Sequence, residues 1–303
     1  MTIPPTNLSE RFRGCLLGLA VGDAVGTTLE FSPRGAFEPL TDMVGGGPFR
    51  LNPGEWTDDT SMALCLASSL LECDGFDAQD QMTRYCRWRD DGYMSSNGRC
   101  FDIGTTVNSA LGRFISTGEP YSGSTEPMSA GNGSIMRLAP VVMYFYPDRE
   151  AISHYARESS RTTHGALECL DACQLFAEYL RRSLDGLGKS EVLSDVEDRF
   201  ASPRIREIAT GGWRGKASGR IRGSGYVVES LEAAIWCFDS TDSFEEAVLR
   251  AANLGDDADT TAAVCGQVSG AFYGARGIPE HWLNRVSKRD EIIGYAEALQ
   301  KAA

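Results

Sequence analysis

An all-α fold is predicted by three observations: apolar residues recur at spacings of three and four in segment after segment, period-two alternation is scarce, and glycine-rich or polar loops separate the periodic stretches. A composition of 42% hydrophobic and 23% charged residues with 33 Gly suits a packed globule.

The first periodic stretch runs from Ser9 to Ala20 through Phe12, Cys15, Leu16 and Leu19, with Ser9 or Asn7 as its cap. The run after Thr57 places Ala63, Leu66, Ala67 and Leu70 on one face, and a further helix passes through Val107 and Leu111. After Gly165, the residues Ala166, Cys169, Leu170, Cys173 and Ala177 share a face. Three more helices are predicted from Tyr226 to Phe238, from Phe244 to Ala252, and after Thr260 through Val264, Val268 and Phe272. A turn-rich stretch around Gly277 and Pro279 leads into a closing helix that ends near Leu299. The best strand candidate is Val141 to Tyr146, which follows Pro140 and reads equally as a crowded helix. Loops at 45–54, 91–105, 117–134 and 208–225 are long enough to carry function. No linker or repeat divides the chain, so a single domain over 1–303 is expected, with 190–225 as a candidate elaboration.

A net charge of −13 disfavours a nucleic-acid partner or an acidic membrane surface and is compatible with metal ions or a cationic substrate. The start, Met1 to Glu10, is polar with Pro4 and Pro5 and has no signal-peptide pattern, and no stretch approaches the roughly 20 apolar residues of a membrane span. Nine Cys without a CxxC pair read as reduced residues of a cytoplasmic protein. The three His, at 154, 164 and 281, form no HxxxH or HExxH pair, so any metal would be held by oxygen.

Two segments concentrate oxygen ligands. Glu55-Trp56-Thr57-Asp58-Asp59-Thr60 and Gly255-Asp256-Asp257-Ala258-Asp259-Thr260-Thr261 each precede an apolar helix. Each alone is explained by helix capping and the helix dipole. Together, five carboxylates at two helix starts would repel one another without a cation, and carboxylates with Thr hydroxyls suit Mg2+ or Mn2+. Asp257 and Asp259 can share one ion only if they lie in a turn before the helix begins, because residues two apart on a helix diverge by roughly 200°. A dinuclear carboxylate site where the two helix ends meet is therefore expected.

Taken in order, Gly22-Asp23-Ala24-Val25-Gly26 with Glu30, Trp56 to Thr60, Gly131-Asn132-Gly133-Ser134-Ile135-Met136-Arg137, and Gly255 to Thr260 resemble the ADP-ribosylglycohydrolase family, from about residue 9 to 275. The resemblance implies a compact orthogonal helical bundle with a dinuclear metal site in a central cleft. It further implies two divalent cations, Mg2+ or Mn2+, on Thr57, Asp58, Asp59, Asp257, Asp259 and Thr260. Asp256 stands where the family often has Gly.

Other residues divide between a plain reading and a functional one. Glu30 alone would be a solvated carboxylate, and its match implies water activation or ion orientation. Asp102 alone could cap a helix, whereas Asp102-Ile103-Gly104 resembles the loop of the arginine-releasing branch, where this Asp is catalytic. The glycine turn holding Gly131, Asn132, Gly133 and Ser134 could admit a pyrophosphate to its backbone, with Met136 and Arg137 completing the motif. His164 is either satisfied by backbone or, by its family position, lines the cleft, and Gly225-Tyr226 resembles a loop near the distal ribose. The implied activity is hydrolysis of ADP-ribose from a modified side chain, arginine before serine, on an ADP-ribosylated protein or small ADP-ribosyl substrate with ADP-ribose as product. Other linkages, or a non-catalytic ADP-ribose binder, are the rivals.

Overall fold

The computed structural model describes residues 7–196 and 200–303. The polar start with Pro4 and Pro5 and three positions of the 190–225 stretch lie outside them. Fourteen α-helices and no multi-residue strand occur among the described residues. They are α1 (Leu8–Gly26), α2 (Asp58–Glu72), α3 (Ala78–Asp91), α4 (Thr105–Thr117), α5 (Ala139–Tyr144), α6 (Arg149–Arg161) and α7 (Leu167–Leu184). The remainder are α8 (Lys189–Val192), α9 (Pro203–Ala209), α10 (Val227–Asp239), α11 (Phe244–Ala252), α12 (Ala258–Tyr273), α13 (Glu280–Leu283) and α14 (Arg289–Ala302).

At the centre, α1 and α12 lie antiparallel, buried continuously from Gly14 to Gly26 and from Ala258 to Ala271. Glycine at every fourth position of α1 explains the contact. A Cβ at Gly18 would collide with the carbonyl oxygen of Gly266, and one at Gly22 with that of Ala262. Bare backbone lets the two helices touch, and α7, α10, α11 and α14 pack around them. One buried apolar cluster runs from Phe12 to Leu299. The C-terminus of α1 therefore meets the N-terminus of α12, and this junction positions the site.

The predicted helices are all present, as α1, α2, α4, α7, α10, α11, α12 and α14, several of them longer than the periodicity marked. Asn7 rather than Ser9 caps α1, its side chain accepting from Glu10 N at 2.9 Å. The strand reading of Val141 to Tyr146 is corrected to helix α5, whose residues Ala139 to Met143 are all buried. An element covered on every side has no apolar stripe to display. Periodicity leaves out α3, α6, α8, α9 and α13; the two longest of these, α3 and α6, start at side-chain caps, Asp77 and Asp148. All nine cysteines are free. No helix among the described residues is long and apolar enough to cross a membrane.

Candidate active site

The acidic segments open helices α2 and α12, as expected, but neither is capped by its own N-cap side chain. Asp23, in the last turns of α1, takes that role for α2. Thr57 N, Thr57 Oγ1, Thr60 N and Thr60 Oγ1 donate to its carboxylate at 2.8, 2.9, 3.0 and 2.6 Å. Glu30, one short turn after α1, does the same for α12, accepting from Ala258 N at 2.8 Å and Asp259 N at 3.3 Å through Oε2. Glu30 is thus buried rather than solvated.

These caps bring the two helix starts together. Thr57 Oγ1 lies 3.3 Å from Asp259 Oδ2, and Thr260 Oγ1 lies 3.3 Å from Asp59 Oδ2. Asp257 occupies the N-cap position with φ −100° and ψ 73°, outside the helix, whereas Asp259 lies in the first turn of α12, so the pair straddles the helix start instead of preceding it. Asn132 Nδ2 donates to Asp257 Oδ2 at 3.0 Å. Asp102 enters from the loop before α4, and carboxylate oxygens of Glu30, Asp102 and Asp259 lie within 4.8 Å of one another. Asp256 is exposed and does not line the cleft.

Seven carboxylates thus gather with no Arg, Lys or His paired to any of them among the described residues. Burial, followed by a neighbouring carboxylate, pushes Asp23, Asp257 and Asp259 up to about 7. Burial raises Asp102 to about 6 and holds Asp58, Asp59 and Glu30 well above the usual range. Asp59 Oδ1 is buried with no hydrogen-bond partner. Uncompensated buried charge and an orphaned oxygen are features that a hard cation would satisfy.

The opposite wall is the glycine turn. Asn132 N donates to Gly225 O at 3.0 Å, and Val227 N to Ala130 O at 3.0 Å, fastening the turn to the start of α10. His164 stands behind it, with Nδ1 2.9 Å from Thr163 Oγ1. A Cβ at Gly133 would approach His164 Cε1 to 2.7 Å, so glycine is needed there for close approach. Burial, reinforced by the nearby Arg137 guanidinium, pushes His164 down to about 3 and keeps it neutral.

Between the walls lies a cleft of about 390 Å3, lined by Glu30, Asp58, Asp102, Gly104, Gly131, Asn132, Gly133, Met136, His164, Gly225, Asp257, Asp259 and Thr260. Thr57 and Asp59 sit beneath its floor, bonded as described. Three predicted substrate residues are not among the lining. Ser134 is buried behind the turn. Arg137 points inward, donating to Gly133 O at 2.8 Å and Thr163 Oγ1 at 2.7 Å, with its guanidinium 4.8 Å from the Tyr85 ring centroid. Tyr226 directs its hydroxyl to Glu168 Oε2 at 2.5 Å and receives Arg204 Nη1 at 3.0 Å.

Sequence reading missed Asp23 as a site residue, and Phe31, Ile103, Thr105, Thr106 and Val107 as part of the lining. Asp23 did carry a signal: it is the one charged residue between Gly14 and Leu29, where an unpartnered carboxylate would be costly.

A family model described as ADP-ribosylglycohydrolase matches residues 4–303. The chain is 45% identical to the ADP-ribosylarginine hydrolase Tri1 of Pseudomonas putida, over 98% of this chain and 80% of that protein. It is 29% identical to the ADP-ribosyl-(dinitrogen reductase) glycohydrolase of Rhodospirillum rubrum, over 94% and 93% of the two chains. A solved chain from an ADP-ribosylglycohydrolase-related protein complex superposes with a TM-score of 0.85 at 42% identity, covering 98% of this chain and 99% of that one.

Proposed function

The chain belongs to the ADP-ribosylglycohydrolase family, and on that premise we propose that it hydrolyses the bond between ADP-ribose and modified arginine side chains, releasing ADP-ribose. The observation that carries the reading is the meeting of two acidic helix starts opposite a glycine turn within one cleft. The arginine linkage is supported by the relative named ADP-ribosylarginine hydrolase and by the concentration of negative charge in the cleft, which favours a cationic leaving group.

Thr57, Asp58, Asp59, Asp257, Asp259 and Thr260 would hold two divalent cations, Mg2+ or Mn2+, and the buried acids with the orphaned Asp59 oxygen support such an assignment. Bound there, the cations would supply Lewis acidity and offset part of the carboxylate charge. The protein does the rest. Asp23 and Asn132 orient the donor side chains. Backbone at Gly131, Gly133, Gly104 and Gly225 leaves room for the pyrophosphate and ribose, and neutral His164 and Met136 close that wall. Arg137, Ser134 and Tyr226 hold the wall from behind.

In the reaction, water adds to the anomeric carbon as the carbon–nitrogen bond breaks, its electron pair leaving with the guanidine. Asp102 stabilises the oxocarbenium-like charge and passes the water proton to the departing nitrogen. Glu30, with Oε2 committed to α12, retains its other oxygen to orient the water. The nine free cysteines support the cytoplasm as the compartment.

The test is mass-resolved product release from arginine-linked and serine-linked ADP-ribosyl peptides, with Mg2+ or Mn2+ and with chelator, for wild type, Asp58→Ala and Asp259→Ala. Intact ADP-ribose from the arginine-linked peptide, released only by metal-loaded wild type, is the expected result. ADP-ribose binding without release from either peptide would make the protein a binder instead.

A further inference from the structure

Three phenylalanines follow one another beside the carboxylates, and of these Phe31 lines the cleft. The ring centroids of Phe31 and Phe49 are 6.2 Å apart, and those of Phe49 and Phe101 are 5.4 Å apart. Phe31 lines the same cleft as Glu30, Asp58 and Asp102, and Phe101 directly precedes Asp102. Phe49 and Phe101 are half-buried, whereas Phe31 is 65% exposed.

An exposed phenylalanine alone asks for no explanation. Its backbone does. Phe31 has φ 59°, in the left-handed region that a bulky side chain occupies only under constraint. The constraint is a reciprocal pair of hydrogen bonds: Phe31 N donates to Asp256 O at 2.8 Å, and Asp256 N donates to Ser32 O at 2.8 Å. Asp256 is itself at φ 59°. Arg50, next to Phe49, and Asp102, next to Phe101, are left-handed too, at φ 55° and 59°. Every ring of the row therefore stands at or beside a strained residue, and strain that the surrounding fold maintains is characteristic of ligand clamps. Core packing does not account for the left-handed backbone of Phe31, because its ring faces solvent.

We propose that Phe31, backed by Phe49 and Phe101, receives the arginine guanidinium of the modified substrate and so selects the linkage, an inference that rests on the arginine reading above. A guanidinium is planar, permanently charged and weakly hydrated, and it stacks on aromatic faces while carboxylates accept its donors. Asp102 and Glu30 stand at the same end of the cleft to supply the carboxylates. A serine linkage presents neither plane nor charge to the rings. The glycine-turn end binds the ADP-ribose part common to both linkages, so the rings act on linkage and leave ADP-ribose affinity alone. Asp256 becomes a positioning residue that holds the Phe31 backbone.

The experiment compares wild type, Phe31→Leu, Phe49→Leu and Phe31→Tyr on arginine-linked and serine-linked ADP-ribosyl peptides, with inhibition by free ADP-ribose measured for each. Leucine keeps apolar bulk and removes the π face, and tyrosine restores it. The expected result is a rise of about 5- to 30-fold in KM for the arginine-linked peptide in Phe31→Leu, recovered in Phe31→Tyr, with ADP-ribose inhibition unchanged. An unchanged KM in both leucine variants, or an equal loss of ADP-ribose affinity, overturns the proposal while leaving arginine hydrolysis intact. Failure of wild type on the arginine-linked peptide overturns the arginine reading first and the ring row with it.

Discussion

Asp102 and Glu30 face one cleft, yet substitution should separate them. Asp102 makes no backbone cap, so Asp102→Asn is expected to fold normally and to lose about 100-fold or more in kcat, read from steady-state ADP-ribose release. Glu30 has a structural duty as well. Glu30→Gln keeps an oxygen for the two α12 amides, while Glu30→Ala strands them. The alanine variant should therefore unfold at lower denaturant, by about 1–2 kcal/mol, and the glutamine variant should not, although both lose activity. Equal stability of the two would mean that Glu30 does not cap α12. The same double duty explains what was legible at this scale. The acidic doublets announced themselves by repetition, whereas nothing in a lone Glu30 tells that Ala258, over two hundred positions later, will donate to it. Arg137 is the converse: a cation in a glycine motif suggests an anionic ligand, and its side chain is spent on carbonyl and hydroxyl oxygens inside.

At the scale of elements, the α1–α12 contact governs the site, because α1 ends in the cap of α12 and carries the cap of α2. Gly22→Ala puts a Cβ into the Ala262 carbonyl. On propensity alone the change should favour α1 by about 1 kcal/mol. Overpacking against backbone should outweigh that and leave a net loss of about 2 kcal/mol in chemical denaturation. A stabilised variant would show that the helices can part without harm. Helix existence was readable where the apolar spacing is dense, as in α2, α7 and α11, and was missed in α6, whose buried face includes Ile152, Ala156, Ser159 and Ser160. The every-fourth glycines of α1 were equally visible, but a glycine shows which face is bare only once its partner is known. Helix α5 was ambiguous for the opposite reason, having no exposed face at all.

For the whole molecule, the crowded acids make stability depend on pH and cations together. Asp23, Asp257 and Asp259 are raised to about 7, above their unfolded values near 4, so the folded, metal-free chain binds more protons through that window. Their stabilising contribution is complete below about pH 4 and is lost as pH rises through about 7. His164, lowered to about 3, works the other way between about 6.5 and 3, as a single group against several. Chelated protein should thus melt at a lower temperature at pH 8 than at pH 5.5. Saturating Mg2+ or Mn2+ should reverse that order, with a gain of about 2.7 kcal/mol at a hundredfold excess over Kd. A chelated protein with a flat profile would count against the buried acid cluster. The two helices that build the junction lie at opposite ends of the described chain, α1 closing at Gly26 and α12 opening at Ala258. At roughly 5–20 residues per second of synthesis, about ten seconds or more separate the completion of α1 from the appearance of α12. Asp23, Glu30, Asp58, Asp59 and Asp102 are translated well before Asp257 and Asp259, so the complete site forms late, when α12 docks.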